Sequence, residues 1–246
     1  MNDNPICFFD SGIGGVTILK EVIKKLPNEN YVYLADSSNN PYGNKTKKEL
    51  FNIVKNIVDK LLTYNPKIIV CACNTVTAMV LDDIRKTYPN IIFVGTEPAV
   101  KVLYDKYNDK KAIILTTKGT AESEKFKKLF EKYKSQNCTL IKAPKLAGLI
   151  ENSKDTYSYL MELLKEYSGT EVVVLGCTHF PLAKENISKV LGKVTYIDGG
   201  IGIANRVCDL LNKDNSFNKS QTGHLLVIAP SKEIENRVRK IVKCNF

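Results

Sequence analysis

The segment Pro66-Lys67-Ile68-Ile69-Val70-Cys71-Ala72-Cys73-Asn74-Thr75 is echoed by Thr170-Glu171-Val172-Val173-Val174-Leu175-Gly176-Cys177-Thr178-His179, which sets Cys73 over Cys177 at an offset of 104. Three more segments keep this order. Ile6-Cys7-Phe8-Phe9-Asp10-Ser11 lies over Ala112-Ile113-Ile114-Leu115-Thr116-Thr117, residues 31–34 over 139–142, and Ile92-Phe93-Val94-Gly95 over Thr195-Tyr196-Ile197-Asp198, at offsets of 106, 108 and 103. Self-similarity of this period means that one folding unit is used twice. Within it, strand-like runs at 6–9, 31–34, 68–71, 91–94, 112–115, 139–141, 172–175, 195–197 and 225–228 alternate with helix-like stretches. The stretches at 16–26, 47–62, 78–88, 123–133, 156–167 and 203–211 carry apolar residues at three-and-four spacing. Strands joined by helices form parallel α/β sheets. The expectation is α/β: two pseudo-symmetric α/β lobes with mostly parallel sheets facing across a central cleft, each offering it the carboxyl ends of its strands. Residues 1–98 plus 206–246 would form the first lobe and 99–205 the second. The segment 225–228 and a helix over 231–242 have no counterpart in the repeat and are expected to return to the first lobe.

The chemistry starts from the two equivalent cysteines. Each follows an apolar strand and precedes a helix. Backbone N–H groups and a helix start in such a turn favour the thiolate, so a lowered thiol pKa is expected. Free cysteine also fills cores, the reading given to Cys7, Cys138, Cys208 and Cys244. One thiol at a strand end would be ordinary, and a lone catalytic one would suggest a hydrolase or transferase. Two at matching repeat positions point to a pair acting on one ligand. Inverting a carbon next to a carboxylate requires one group to remove the proton and another to deliver one to the opposite face. Two interchangeable thiols meet that demand.

Other residues fall on the same loops. Asp10-Ser11-Gly12-Ile13-Gly14-Gly15 follows the first strand and reads as a cradle; it matches neither the dinucleotide glycine pattern nor a P-loop. His179, two residues past Cys177, can relay its proton or be a hydrogen-bonded structural imidazole; His224 reads as structural. Asp36 and Pro41-Tyr42-Gly43 follow the second strand, and Glu151 the matching region of the other lobe. Glu97 could be surface or site and is assigned no catalytic role. Arginine is absent before Arg85 and again until Arg206, which argues against a bidentate arginine clamp. A carboxylate ligand would then be held by backbone N–H groups and by Ser11, Tyr42, Asn74, Thr75, Thr117, Thr120 and Thr178.

Charge raises the question of nucleic acid, since the formal net charge is +10. All but four of the 36 basic residues are lysines, scattered among acids, which describes a solvated surface that attracts small anions and no nucleic-acid footprint. No apolar run approaches the ~18–20 residues of a membrane span. The opening Met1-Asn2-Asp3-Asn4-Pro5 lacks signal-peptide features, so the seven cysteines are expected as thiols in the cytoplasm.

Taken together, Phe9-Asp10-Ser11-Gly12-Ile13-Gly14-Gly15, Pro41-Tyr42-Gly43, Ala72-Cys73-Asn74-Thr75 and Leu175-Gly176-Cys177-Thr178-His179-Phe180-Pro181-Leu182 resemble, in order, the signatures of glutamate racemases within the aspartate/glutamate racemase family. The resemblance runs from about residue 6 to 211. It implies two α/β lobes and a cofactor-independent isomerase that interconverts L- and D-glutamate for peptidoglycan, often as a homodimer. It implies that Cys73 and Cys177 are the acid/base pair, assisted by Asp10 and His179. Ser11, Pro41, Tyr42, Gly43, Asn74, Thr75 and Thr178 would hold the amino acid, with Asp36 and Glu151 as acidic neighbours of the site. No metal, membrane or nucleic-acid partner is implied. The sequence departs from the family at 36–41, which lacks the usual arginine, and at Phe180 and Phe126, where tyrosine is usual. Rival readings are an aspartate racemase, an amino-acid-binding module, and a zinc site of Cys71, Cys73, Cys177 and His179.

Overall fold

The computed structural model describes residues 3–133 and 137–242. Its strands are β1 (Ile6–Asp10), β2 (Tyr31–Ala35), β3 (Ile68–Cys71), β4 (Phe93–Gly95), β5 (Ala112–Thr116), β6 (Cys138–Lys142), β7 (Val172–Gly176), β8 (Thr195–Ile197) and β9 (Leu225–Ile228). They form two sheets, ordered β4-β3-β1-β2-β9 and β6-β5-β7-β8, with parallel pairing throughout. Reversing the second order gives β8-β7-β5-β6, so each strand occupies the place of its repeat partner. The extra strand β9 extends the first sheet, pairing Tyr31 with Leu225 and Leu34 with Ile228.

The helices are α1 (Val16–Lys25), α2 (Lys47–Leu62), α3 (Asn74–Met79), α4 (Leu81–Thr87), α5 (Val100–Tyr107) and α6 (Lys118–Glu122), followed by α7 (Glu124–Lys132), α8 (Leu146–Glu151), α9 (Tyr157–Leu164), α10 (Lys184–Leu191), α11 (Gly200–Lys213) and α12 (Lys232–Val242). Alternate strand residues point to opposite faces. Phe8, Tyr33 and Val70 therefore pack under α1, α11 and α12, while Phe9, Val32 and Ile69 pack under α2 and α4. The second sheet does the same, with Leu115 and Val173 facing α8, α9 and α10, and Ile114 and Val174 facing α5 and α7. Burial on both faces explains the unbroken apolar runs of the central strands. No helix of the described residues is long and apolar enough to cross a membrane.

The helix expected over 78–88 is in fact two, α3 and α4, separated at Val80, whose φ of −135° leaves the helical region. Asn74, Thr75, Val76 and Thr77 are all buried, so α3 shows no polar side and no amphipathic period to read. Helices α5, α6, α8 and α10, at most eight residues each, lie outside the stretches that the periodicity marks. Helix α11 lies along α1 and sends Ile203, Ala204, Val207 and Leu211 into the first core. The chain crosses between the sheets twice, and the crossings touch. A Cβ on Gly199 would stand 2.8 Å from Thr96 Oγ1 and 3.2 Å from the Glu97 carbonyl oxygen.

Candidate active site

Cys73 and Cys177 emerge just past β3 and β7, and both line one cavity between the sheets with Ser11, Pro41, Tyr42, Gly43, Asn74, Thr75, Thr117 and Thr178. The two thiols are 5% and 6% exposed. The cavity closes down to about 10 Å³, room for about one water. Cys7, Cys71, Cys73, Cys177 and Cys208 carry free thiols, Cys7 buried and Cys208 partly so; Cys138 is partly buried, and Cys244 lies outside the described residues.

The two thiols meet different charges. Asp10, fully buried at the end of β1, accepts the Gly15 N–H at 2.8 Å and the Thr178 hydroxyl at 3.3 Å. Burial pushes its carboxyl up, partly opposed by His179 and the Gly15 N–H. Burial, and then the Asp10 charge, push the Cys73 thiol well above its ordinary value. The lowered pKa expected from its turn is corrected there, because loss of water outweighs what the Val76 N–H at the start of α3 returns.

Around Cys177 the balance is different. His179 Nδ1 lies 4.0 Å from the Cys177 sulfur and 4.0 Å from Asp10 Oδ2, and Nε2 lies 2.8 Å from Glu151 Oε2. Burial works against the imidazolium, but hydrogen bonds to Cys177 and Glu151, with the nearby charges of Cys177 and Asp10, raise His179 to about 10. Burial also opposes the Glu151 carboxylate, yet His179, the Ser37 hydroxyl and the Ile13 N–H hold it below its usual range. Close approach requires the glycine turn here, since a Cβ on Gly14 would fall 2.3 Å from His179 Nδ1.

The expected binding residues divide into wall and support. Ser11 Oγ accepts the Asn40 amide at 3.2 Å, and Asn74 Nδ2 donates to the Thr96 carbonyl at 3.4 Å. Thr75 and Thr117, from opposite lobes, share a hydrogen bond at 3.0 Å. Thr120 is absent from the wall; fully buried, its hydroxyl bonds Thr117 at 3.0 Å. Asp36 also stands behind the wall, accepting the Tyr42 hydroxyl at 2.5 Å, as Glu151 stands behind His179. Sequence reasoning missed Pro144 and Ala147, which complete the wall, and Ser37. Pro144 could have been found, because the offset of 108 places it over Asp36.

The remaining candidates lie elsewhere. Glu97 is exposed and pairs with Lys125 at 3.4 Å, and His224 is exposed. Cys71 turns into the core, donating to the Cys73 carbonyl and accepting the Thr77 hydroxyl, both at 3.6 Å. Among the described residues, no group of three or more His, Cys, Asp or Glu is placed to hold a metal. Phe126 and Phe180 are buried in the second lobe's core, off the cavity wall. None of the four arginines lines the cavity; Arg85 pairs with Asp82, Arg239 with Glu235, and Arg237 donates to two backbone carbonyls of α8.

The sequence profile of the Asp/Glu/Hydantoin racemase family matches residues 21–206. The chain belongs to that family. A glutamate racemase of Clostridium botulinum (strain Alaska E43 / Type E3) is 43% identical over 237 residues, covering 92% of this chain and 91% of its own. One from Clostridium acetobutylicum is 38% identical over 241 residues, covering 95% and 94%. Among solved structures, a glutamate racemase isoform from Bacillus anthracis matches with a TM-score of 0.84 at 25% identity, over 100% of this chain and 96% of that one. The Escherichia coli glutamate racemase, in complex with L-glutamate and the activator UDP-MurNAc-ala, matches with a TM-score of 0.82 at 25% identity, over 98% and 94%. This racemase therefore shares its two-sheet architecture with family members along essentially its whole length.

Proposed function

We propose that this racemase interconverts L- and D-glutamate without a cofactor, using Cys73 and Cys177 as a pair of acid/base groups on opposite faces of the α-carbon. The observation that carries the reading is the presence of both thiols, from equivalent turns, on the wall of one water-poor cavity. Cys177 lies 4.0 Å from the His179 imidazolium and is the proton acceptor in this reading; Cys73, buried against Asp10, rests as the thiol. The Cys177 thiolate takes the α-proton of one enantiomer, and the Cys73 S–H delivers its proton to the other face. The cycle leaves a Cys177 thiol and a Cys73 thiolate, the starting arrangement for the opposite enantiomer, so protons and charge balance in both directions.

Hydroxyls and amides of Ser11, Asn74, Thr75, Thr117 and Thr178 suit the ligand's carboxylates, and a closed cavity strengthens each such bond. A free interior of about 10 Å³ is too small for glutamate, so the lobes part to admit it and close over it. The naming of relatives at 38% to 43% identity supports glutamate over aspartate; a methylene alone is worth only ~1–3 kcal/mol of discrimination. In this reading the enzyme works in the cytoplasm, as a homodimer, and supplies D-glutamate for peptidoglycan. The test is incubation of the protein with L-glutamate or L-aspartate in deuterated water, followed by NMR and polarimetry. Loss of the α-hydrogen signal and of optical rotation with L-glutamate, with no added cofactor, is expected. Faster exchange with aspartate would reassign the substrate, and intact amino acids beside folded protein would leave only a binding module.

A further inference from the structure

Arg237 belongs to α12, which is rooted in the first lobe's core by Val238 and Val242. Its guanidinium crosses to the second lobe, where Nη1 donates to the Glu151 carbonyl and Nη2 to the Ile150 carbonyl at 3.1 Å. These are the last two residues of α8, where the helix ladder runs out; the Ile150 carbonyl also accepts the Ser153 N–H at 3.2 Å. The contrast with Arg239 is instructive, since that side chain pairs with Glu235 of its own helix at 2.9 Å. Two donors in a fixed fork match two successive carbonyls, which a lysine ammonium cannot reproduce.

The residue so held is Glu151, and its side chain is also fixed from the first lobe, by the Ile13 N–H at 3.0 Å and the Ser37 hydroxyl. Glu151 belongs to the second lobe by chain, yet three of its contacts come from the first. Its remaining contact is His179 Nε2 at 2.8 Å. We propose that Arg237 is a positioning residue for the acid/base site: by clamping the end of α8 it keeps the Glu151 carboxylate on His179, and so keeps the imidazolium beside Cys177. The claim about Glu151 and His179 stands on geometry, while its consequence for turnover rests on the function proposed above.

The experiment is a histidine NMR titration, which is simple because the chain has only His179 and His224; His179→Asn assigns the signals. The groups facing His179 are Cys177 from its own turn, Glu151 from α8 and Asp10 from β1. In Arg237→Ala the His179 titration is expected to move down by roughly one pH unit as Glu151 drifts away, with the upper limb of the kcat profile following it. Turnover would fall roughly 10- to 100-fold, the loss expected of a small misplacement of the catalytic groups, with KM little changed. Arg237→Lys keeps the charge and one donor and should fall between wild type and Arg237→Ala; it reads the same shift should the alanine variant not fold. In a Glu151→Gln background the Arg237 substitution should add no further shift. A His179 titration unmoved in both variants, with only thermal stability reduced, would overturn the proposal. Failure of the wild-type chain to exchange glutamate would instead sink the assigned reaction and leave the titration result standing.

Discussion

The turns that follow β3 and β7 are one structural element used twice, and their differences matter as much as their likeness. Cys73 is succeeded by Asn74 and Thr75, both neutral, and looks onto a carboxylate at Asp10. Cys177 is succeeded by Thr178 and His179, and looks onto an imidazolium held by Glu151. Two thiols in identical surroundings would compete for the same protonation state. In the mechanism proposed above, a cation on one side only would make one sulfur the proton acceptor and its twin the donor, the separation of environments by which paired titratable groups acquire distinct roles. The repeat sets both sulfurs at equivalent turns, and the residues around each turn put them beside different charges.

The comparison breaks most severely if either sulfur is removed. Cys73→Ala and Cys177→Ala are each expected to lower racemisation by roughly 10²- to 10⁴-fold, while each variant still exchanges the α-hydrogen of the one enantiomer that faces its surviving thiol. Chiral chromatography and proton NMR in deuterated water read both effects, and two-way racemisation in either variant would dissolve the pair. Next comes Glu151→Gln, expected to slow turnover by roughly 10- to 100-fold. Because the enantiomers are equally stable, kcat/KM must fall equally in both directions. The asymmetry therefore shows as hydrogen exchange retained more with the enantiomer that Cys73 deprotonates.

Stability sharpens the contrast further. His179 rises from 6.5 in the unfolded chain to about 10 in the fold. Its contribution is therefore complete below about pH 6.5 and is lost as pH climbs through about 10, on the order of a few kcal/mol. Urea midpoints across that range should fall in the wild type and flatten in His179→Asn. Gly14→Ala, which forces a Cβ against the imidazole, should cost about 1–3 kcal/mol by overpacking, measured by thermal unfolding. The smallest effect is expected of Glu97→Gln on the exposed rim, within about 0.5 kcal/mol and with unchanged turnover.

Much of this was legible because parallel sheets write themselves as apolar runs: β3, β8 and β9 begin and end where the sequence pattern places them. The sheet order follows the repeat, and Cys73, Cys177, Ser11, Thr75, Thr117 and Thr178 line one cavity. Three things were less visible. Helix α3 is buried around its circumference and so carries no amphipathic signature. The raised Cys73 thiol depends on how completely the closed lobes exclude water, a property of tertiary packing that no local motif encodes. Ser37 and Arg237 act on the site through Glu151 across sequence separations of 114 and 86 residues, in segments with no motif of their own.

The close approach of Gly199 to the Thr96 hydroxyl and the Glu97 carbonyl has a mechanical meaning. In the opening and closing proposed above, two covalent crossings lying side by side would act as the spine of a book, letting its covers turn without sliding and returning each sulfur to the same height. A bulkier residue at 199 would thicken that spine and alter where the pages meet.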